Sequence, residues 1–119
     1  MEETRSLFER GVKATEKFLD RRGYEVIDTN DDSDSYINAV AIDDGDIVFV
    51  RTMVSSNIDK GYPSEDIKET RPMMETEVAK WMKDHPDMPI DCTIRFDIIS
   101  LIVVGTDRAL LKHHINAFG

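Results

Sequence analysis

The chain has 119 residues, with 15 Lys and Arg against 24 Asp and Glu and a formal net charge of −9. With 40% hydrophobic and 33% charged residues it has the make-up of a single globular domain, 1–119, long enough to bury a core without disulfides or metals. The acidic balance disfavours loose binding to nucleic acid or anionic lipid, and no stretch approaches the ~20 apolar residues of a membrane span.

Residues 5–22 read as an amphipathic helix. Leu7, Gly11, Ala14 and Phe18 recur at helical spacing beside Phe8, Val12, Thr15 and Leu19, and Gly23 supplies a C-cap. Tyr24 to Thr29 has the β-branched and aromatic content of a strand. The stretch from Asn30 to Ser35 is turn chemistry, because Asn, Asp and Ser bond their own backbone. Tyr36–Ile42 and Ile47–Val54 read as two strands joined by a tight turn at Asp43–Asp46. Ile47 to Val50 is apolar on both faces, as a central strand would be.

Residues 55–63 read as a loop, followed by a short turn at 64–70 and a helix at 71–84, with Pro72 in the first turn of that helix. This helix is expected to bury Met74, Val78, Trp81 and Met82. A loop over His85–Pro89 leads to a long strand from Thr93 to Val104. Gly105 to Asp107 turns the chain into a last edge strand, Ala109 to Ile115. The order α-β-β-β-α-β-β points to an α/β domain of three layers, a mixed sheet of about five strands with helices on its faces.

Several local motifs are familiar. Gly11, Phe18-Leu19, Gly23-Tyr24 and Asn30 resemble the opening helix and strand of the YraN-like family of small bacterial proteins. Tyr36 to Ala41 with Val48-Phe49-Val50 resembles that family's hairpin. Arg95 to Ile99, His114-Ile115 and Asn116 to Phe118 are similar to its C-terminal signature. The resemblance covers nearly the whole chain and implies a restriction-endonuclease-like domain with a PD-(D/E)xK metal site. Such a site grips Mg²⁺ with hard carboxylate oxygens and adds a lysine that positions or activates water.

The resemblance places the carboxylates after the helix glycine and on both arms of the hairpin, with the lysine two residues beyond the last. This sequence has Val12 in the helix, Tyr36 and Asn38 on the first arm, and Arg51 and Met53 for the Glu-x-Lys pair. Neutral and cationic groups thus stand at all of the family's catalytic positions, so the expectation is a domain with no catalytic residue, no metal and no cofactor, acting by binding or oligomerisation. A second reading is a metal-dependent endonuclease with migrated ligands, Asp43, Asp44 or Asp46 with Lys60 or Lys68; Mg²⁺ enters only there. A third is a non-cleaving nucleic-acid binder using Arg5, Arg10, Lys13, Lys17, Arg21 and Arg22, diluted by acids among them.

Other features have a functional and a plain reading. Arg51, with Asn38 and Tyr36 as donors, either binds an anion such as phosphate or pairs with an aspartate while Met53 fills space. The eight acids between Tyr24 and Val50 fail the calcium-loop template, since the glycine position counted from Asp32 holds Ile37, and read as solvated turns. His113 and His114 point to opposite faces of a strand and cannot share a metal; His114, within the family signature, reads as structural. Asp97 reads as a brace through Arg95 or a backbone amide. Trp81, Met73, Met74, Met82 and Met88 read as core, with an exposed methionine patch as an alternative partner surface. Cys92, the single cysteine, fits a reducing compartment and has no basic neighbour to make it a nucleophile. The N-terminus lacks a basic start and an apolar signal core, so the expectation is a cytoplasmic protein. Partners are not readable, beyond no membrane and a second copy pairing through the edge strand.

Overall fold

The computed structural model describes residues 2–63, 67–88, 91, 93–106 and 108–118, with backbone alone for 2–6 and 67. Helix α1 spans Glu2–Arg21, so it begins before residue 5. Its end is set by Gly23 at φ 87°: Gly23 N–H donates to the Asp20 carbonyl and Tyr24 N–H to that of Leu19, which closes a Schellman motif. Strands β1 (Glu25–Thr29), β2 (Ala39–Asp43) and β3 (Asp46–Ser55) follow. Asp44 and Gly45, at φ 50° and 89°, make the two-residue turn between β2 and β3, because a primed turn needs two positive φ values. A 3₁₀ turn at Ile58–Lys60 precedes α2 (Ile67–Asp84), then β4 (Ile94–Val104) and β5 (Arg108–His114).

The strands lie in sequence order, β1-β2-β3-β4-β5. Only β3 and β4 are parallel, joined by the crossover through α2; the other neighbours are antiparallel, so the sheet is mixed. Alternate residues face opposite helices. Leu19, Tyr24, Ala39, Ala41, Val48, Val50, Ile99 and Leu101 form the core beneath α1. Ile37, Val40, Ile47, Phe49, Met74 and Val78 form the core beneath α2. Ile47 to Val50 are at most 1% exposed, as a run apolar on both faces requires. This three-layer α/β architecture is consistent with a restriction-endonuclease-like fold. No helix among the described residues is long and apolar enough to cross a membrane.

Two sequence expectations need correction. The first hairpin arm is ordered strand only from Ala39, so Tyr36, Ile37 and Asn38 approach the sheet without joining its ladder. Helix α2 starts at Ile67 and runs through Pro72, where a turn followed by a helix at 71–84 was expected. The stripe Thr70, Met74 and Val78, all buried, holds the helix continuous, and burial of that face outweighs the bond that proline removes near the N-terminus. Met74 and Val78 are buried as expected, whereas Trp81 and Met82 are half-buried and Met73 is exposed. Strand β5 is an edge, as its position predicted.

Where α1 crosses β3, Gly11 lies against Val54. A Cβ at Gly11 would collide with a Val54 methyl group, so this helix–strand approach requires glycine. Gly11→Ala is expected to lower stability by about 1–2 kcal/mol, since overpacking outweighs the gain of at most ~1 kcal/mol in helix propensity. Adding Val54→Ala should recover part of that loss. Urea denaturation of the single and double variants measures both effects, and a single variant as stable as the parent would show the approach to be loose.

Candidate functional site

Asn38, just before β2, is completely buried. Its Oδ1 accepts from the Thr52 backbone N–H at 2.8 Å. Its Nδ2 donates to the Asn30 carbonyl at 3.2 Å and, in a long contact of 3.4 Å, to that of Ser35. Its backbone N–H donates to Val50 at 2.7 Å, and its carbonyl accepts from Asn30 N–H at 2.9 Å. An amide suits this place because it can accept from an N–H and donate to carbonyls at once. A carboxylate would turn an acceptor toward two carbonyl oxygens. Asn38 therefore bolts the 30–38 segment to β3, and its donors are spent inside the chain.

Arg51 on β3 lies over the Tyr36 ring, with Cζ 4.2 Å from the centroid, and its Nη1 makes a long 3.4 Å contact to the Ser35 carbonyl. The structure thus brings Arg51, Asn38 and Tyr36 together. The acceptor on which Arg51 and Asn38 converge is the chain's own Ser35 carbonyl oxygen. Val12 is 4% exposed within α1, and Thr15 on the same helix shares a buried 2.9 Å hydrogen bond with Thr52. Met53 is half-buried on β3.

Glu77 of α2, which the sequence reading did not single out, fastens the same segment from the other side. Its carboxylate accepts from Tyr36 N–H at 2.8 Å, Ile37 N–H at 3.2 Å and the Ser35 hydroxyl at 2.7 Å. Asp28 accepts from Trp81 Nε1 at 2.8 Å, and the indole stacks on His85 with centroids 3.9 Å apart. Glu77, Asp28 and Asn38 border a cleft of only about 90 Å³. The acids of the turns behave as their composition predicts: Asn30 Oδ1 accepts from Asp32 N–H and Asp32 Oδ1 from Asp34 N–H, both at 3.0 Å.

A second polar centre lies beneath α1. Asp97 on β4 is fully buried. It accepts from Arg95 Nε and Nη2 at 3.0 Å each, from Asn116 N–H at 2.9 Å, and pairs with His113 Nε2 at 2.8 Å. Arg95 reaches on to Tyr24 Oη at 2.7 Å and to Asp43 at 3.0 Å. Burial pushes the Asp97 carboxyl up, but hydrogen bonds from His113, Arg95 and the Asn116 amide outweigh it and hold the group below the usual carboxylate range. The hydrogen bond to Asp97 raises Arg95. Burial likewise raises the Tyr24 phenol. The brace expected through Arg95 or a backbone amide is present through both. The buried partner is His113, its ring edge-on to Phe18 and Tyr24, while His114 is exposed. Cys92 lies outside the described residues.

Among the described residues no group of three or more His, Cys, Asp or Glu is placed to hold a metal ion. Asp43, one of the acids considered as a migrated ligand, is engaged by Arg95; Asp44 sits on the turn and Asp46 opens β3. Lys60 ends the 3₁₀ turn and Lys68 lies in the first turn of α2.

No family model matches the chain. A UPF0102 protein of Prosthecochloris aestuarii is 30% identical over 109 residues, covering 86% of this chain and 80% of the relative. The chain belongs to the UPF0102 family. A UPF0102 protein of Lachnoclostridium phytofermentans is 28% identical over 111 residues, covering 91% of this chain and 92% of the relative. Membership in UPF0102 is consistent with the YraN-like resemblance of the hairpin and the C-terminal signature.

Two outcomes follow for this UPF0102 chain. Asn38→Asp should cost about 2–3 kcal/mol near neutral pH, because a buried carboxylate facing carbonyls is unpaired. Its carboxyl should titrate high when folded, so the loss should shrink as acid protonates it. Asp97→Asn should cost about 3 kcal/mol near neutral pH, since it breaks a buried ion pair and leaves Arg95 with Asp43 as its remaining carboxylate partner. Asp97 binds its proton less readily folded than unfolded, so its stabilisation is complete above the ordinary carboxylate pKa and drains away as pH falls through the folded value. Urea denaturation across that acid range should show a flatter pH dependence for Asp97→Asn than for the parent.

Proposed function

We propose that this UPF0102 chain is a nuclease-like scaffold that does not cleave, and that it acts through binding. The observation that carries this reading is Asn38: at the position where the resemblance expects a metal-binding aspartate, every polar atom is consumed by the backbone it fastens. The neighbouring donor set does not suit Mg²⁺, which takes hard oxygen ligands. Arg51 brings a fixed positive charge, Met53 a soft thioether, and the Tyr36 ring is covered by the guanidinium. The carboxylate nearest in function, Glu77, is spent on Ser35, Tyr36 and Ile37.

The test is direct. Purified protein with Mg²⁺ or Mn²⁺ should leave plasmid, single-stranded and branched DNA intact, and neither ion should raise its melting temperature. Metal-dependent cleavage that disappears in Asn38→Ala, or in Asp43→Asn with Asp46→Asn, would overturn the reading.

A further inference from the structure

A concavity of about 440 Å³ lies away from the hairpin, between α1 and the outer strands β4 and β5. Helix α1 packs chiefly on β3 and β1, less on β2 and β4, and at most marginally on β5, so the outer end of the sheet on this face is the least covered. The floor is apolar: Leu101 and Val103 of β4, both buried, then half-buried Leu111 and exposed Ala109 of β5. One wall is Arg10, Lys13, Lys17 and Arg21, which recur three or four residues apart and so share one side of the helix. Arg108 adds a cation at the start of β5. No carboxylate lines the groove among the described residues, in a chain whose net charge is −9. Arg10 donates to the Gly105 carbonyl at 3.0 Å, which ties the helix to the β4–β5 turn at one end. Among the described residues no ion pair neutralises Lys13, Lys17, Arg21 or Arg108.

We infer that this groove is a docking site for an acidic amphipathic segment of a partner protein. A row of cations spread along three turns of helix suits a ligand with repeated negative charge rather than a single small anion. The aliphatic floor suits a ligand that also carries apolar side chains, the arrangement by which an amphipathic helix beds into a groove. A nucleic-acid strand fits less well, because sequence-tolerant binding of unpaired bases relies on aromatic platforms. The groove offers one ring, Phe18, which is already edge-on to His113 and faced by Arg22 at 5.6 Å. Arg10, Lys13, Lys17 and Arg21 are four of the six bases noticed along this helix in the sequence; the fold adds Arg108 and the apolar floor. The inference does not depend on whether the hairpin end cleaves.

Fluorescence anisotropy with the full chain tests it. The probe is a labelled helical peptide with leucines on one face and glutamates flanking them; its controls are the glutamine version and an oligothymidylate. The glutamate peptide should bind at low ionic strength, weaken as salt rises, and lose about tenfold or more in affinity with Lys13→Glu/Lys17→Glu. The same charge change at exposed Lys80 and Lys83 on α2 should have a far smaller effect. Ala109→Glu, at an exposed floor position, should also weaken binding, and circular dichroism checks that each variant is folded. The proposal is overturned if the glutamate peptide binds no better than the glutamine version. It is equally overturned if affinity ignores Lys13, Lys17 and Ala109, or if the oligothymidylate binds more tightly through these same residues.

Discussion

A carboxylate sealed from solvent at Asp97 organises the α1 side of the molecule. Arg95 on β4, His113 on β5 and Asn116 in the turn after β5 surround it, and Arg95 extends the network to Tyr24 and Asp43. Charge buried this way is tolerated only with its partners in place, so those segments are committed to one arrangement. His113 turns Nε2 to Asp97, and its Nδ1 is buried without a hydrogen-bond partner among the described residues. The Asn116 amide meets Asp97 because Asn116 itself takes a positive φ of 53°, a conformation asparagine tolerates better than most residues.

The hairpin end solves a different problem. A segment of turns, 30–38, must lie against the sheet without contributing a strand until Ala39, and its backbone groups still need partners. Asn38 supplies them from the β3 side and Glu77 from α2. This anchor needs a buried group that donates as well as accepts, and the amide of Asn38 supplies both.

Much of this was legible from the residues. The 3.6-residue spacing in α1, the Asp44-Gly45 turn and the doubly apolar Ile47–Val50 run each carry a local signature, and the sheet follows from them. Pro72 misled because a proline inside a helix is a local signal, while the burial of Thr70, Met74 and Val78 that overrides it depends on β3. The absence of acids at Val12, Asn38 and Arg51 was visible, but the work done by Asn38 was not. Its partners are backbone atoms of Thr52 and Asn30, which leave no mark in sequence. Glu77 looked like any polar residue on a helix. His113 and His114 are adjacent and chemically alike, and only the register of β5 against β4, which sets His113 opposite Ile99, decides which is buried.

The order of strands has an electrical consequence. Acidic residues crowd β1, the following turns and the β2–β3 connection, while the cationic wall of α1 opens toward β4 and β5, at the other end of the sheet. Acidic turns therefore gather toward one end of the sheet while a row of cations lines the groove at the other, an unevenness that the net charge conceals. A charged molecule feels such unevenness through the long-range field before any contact forms.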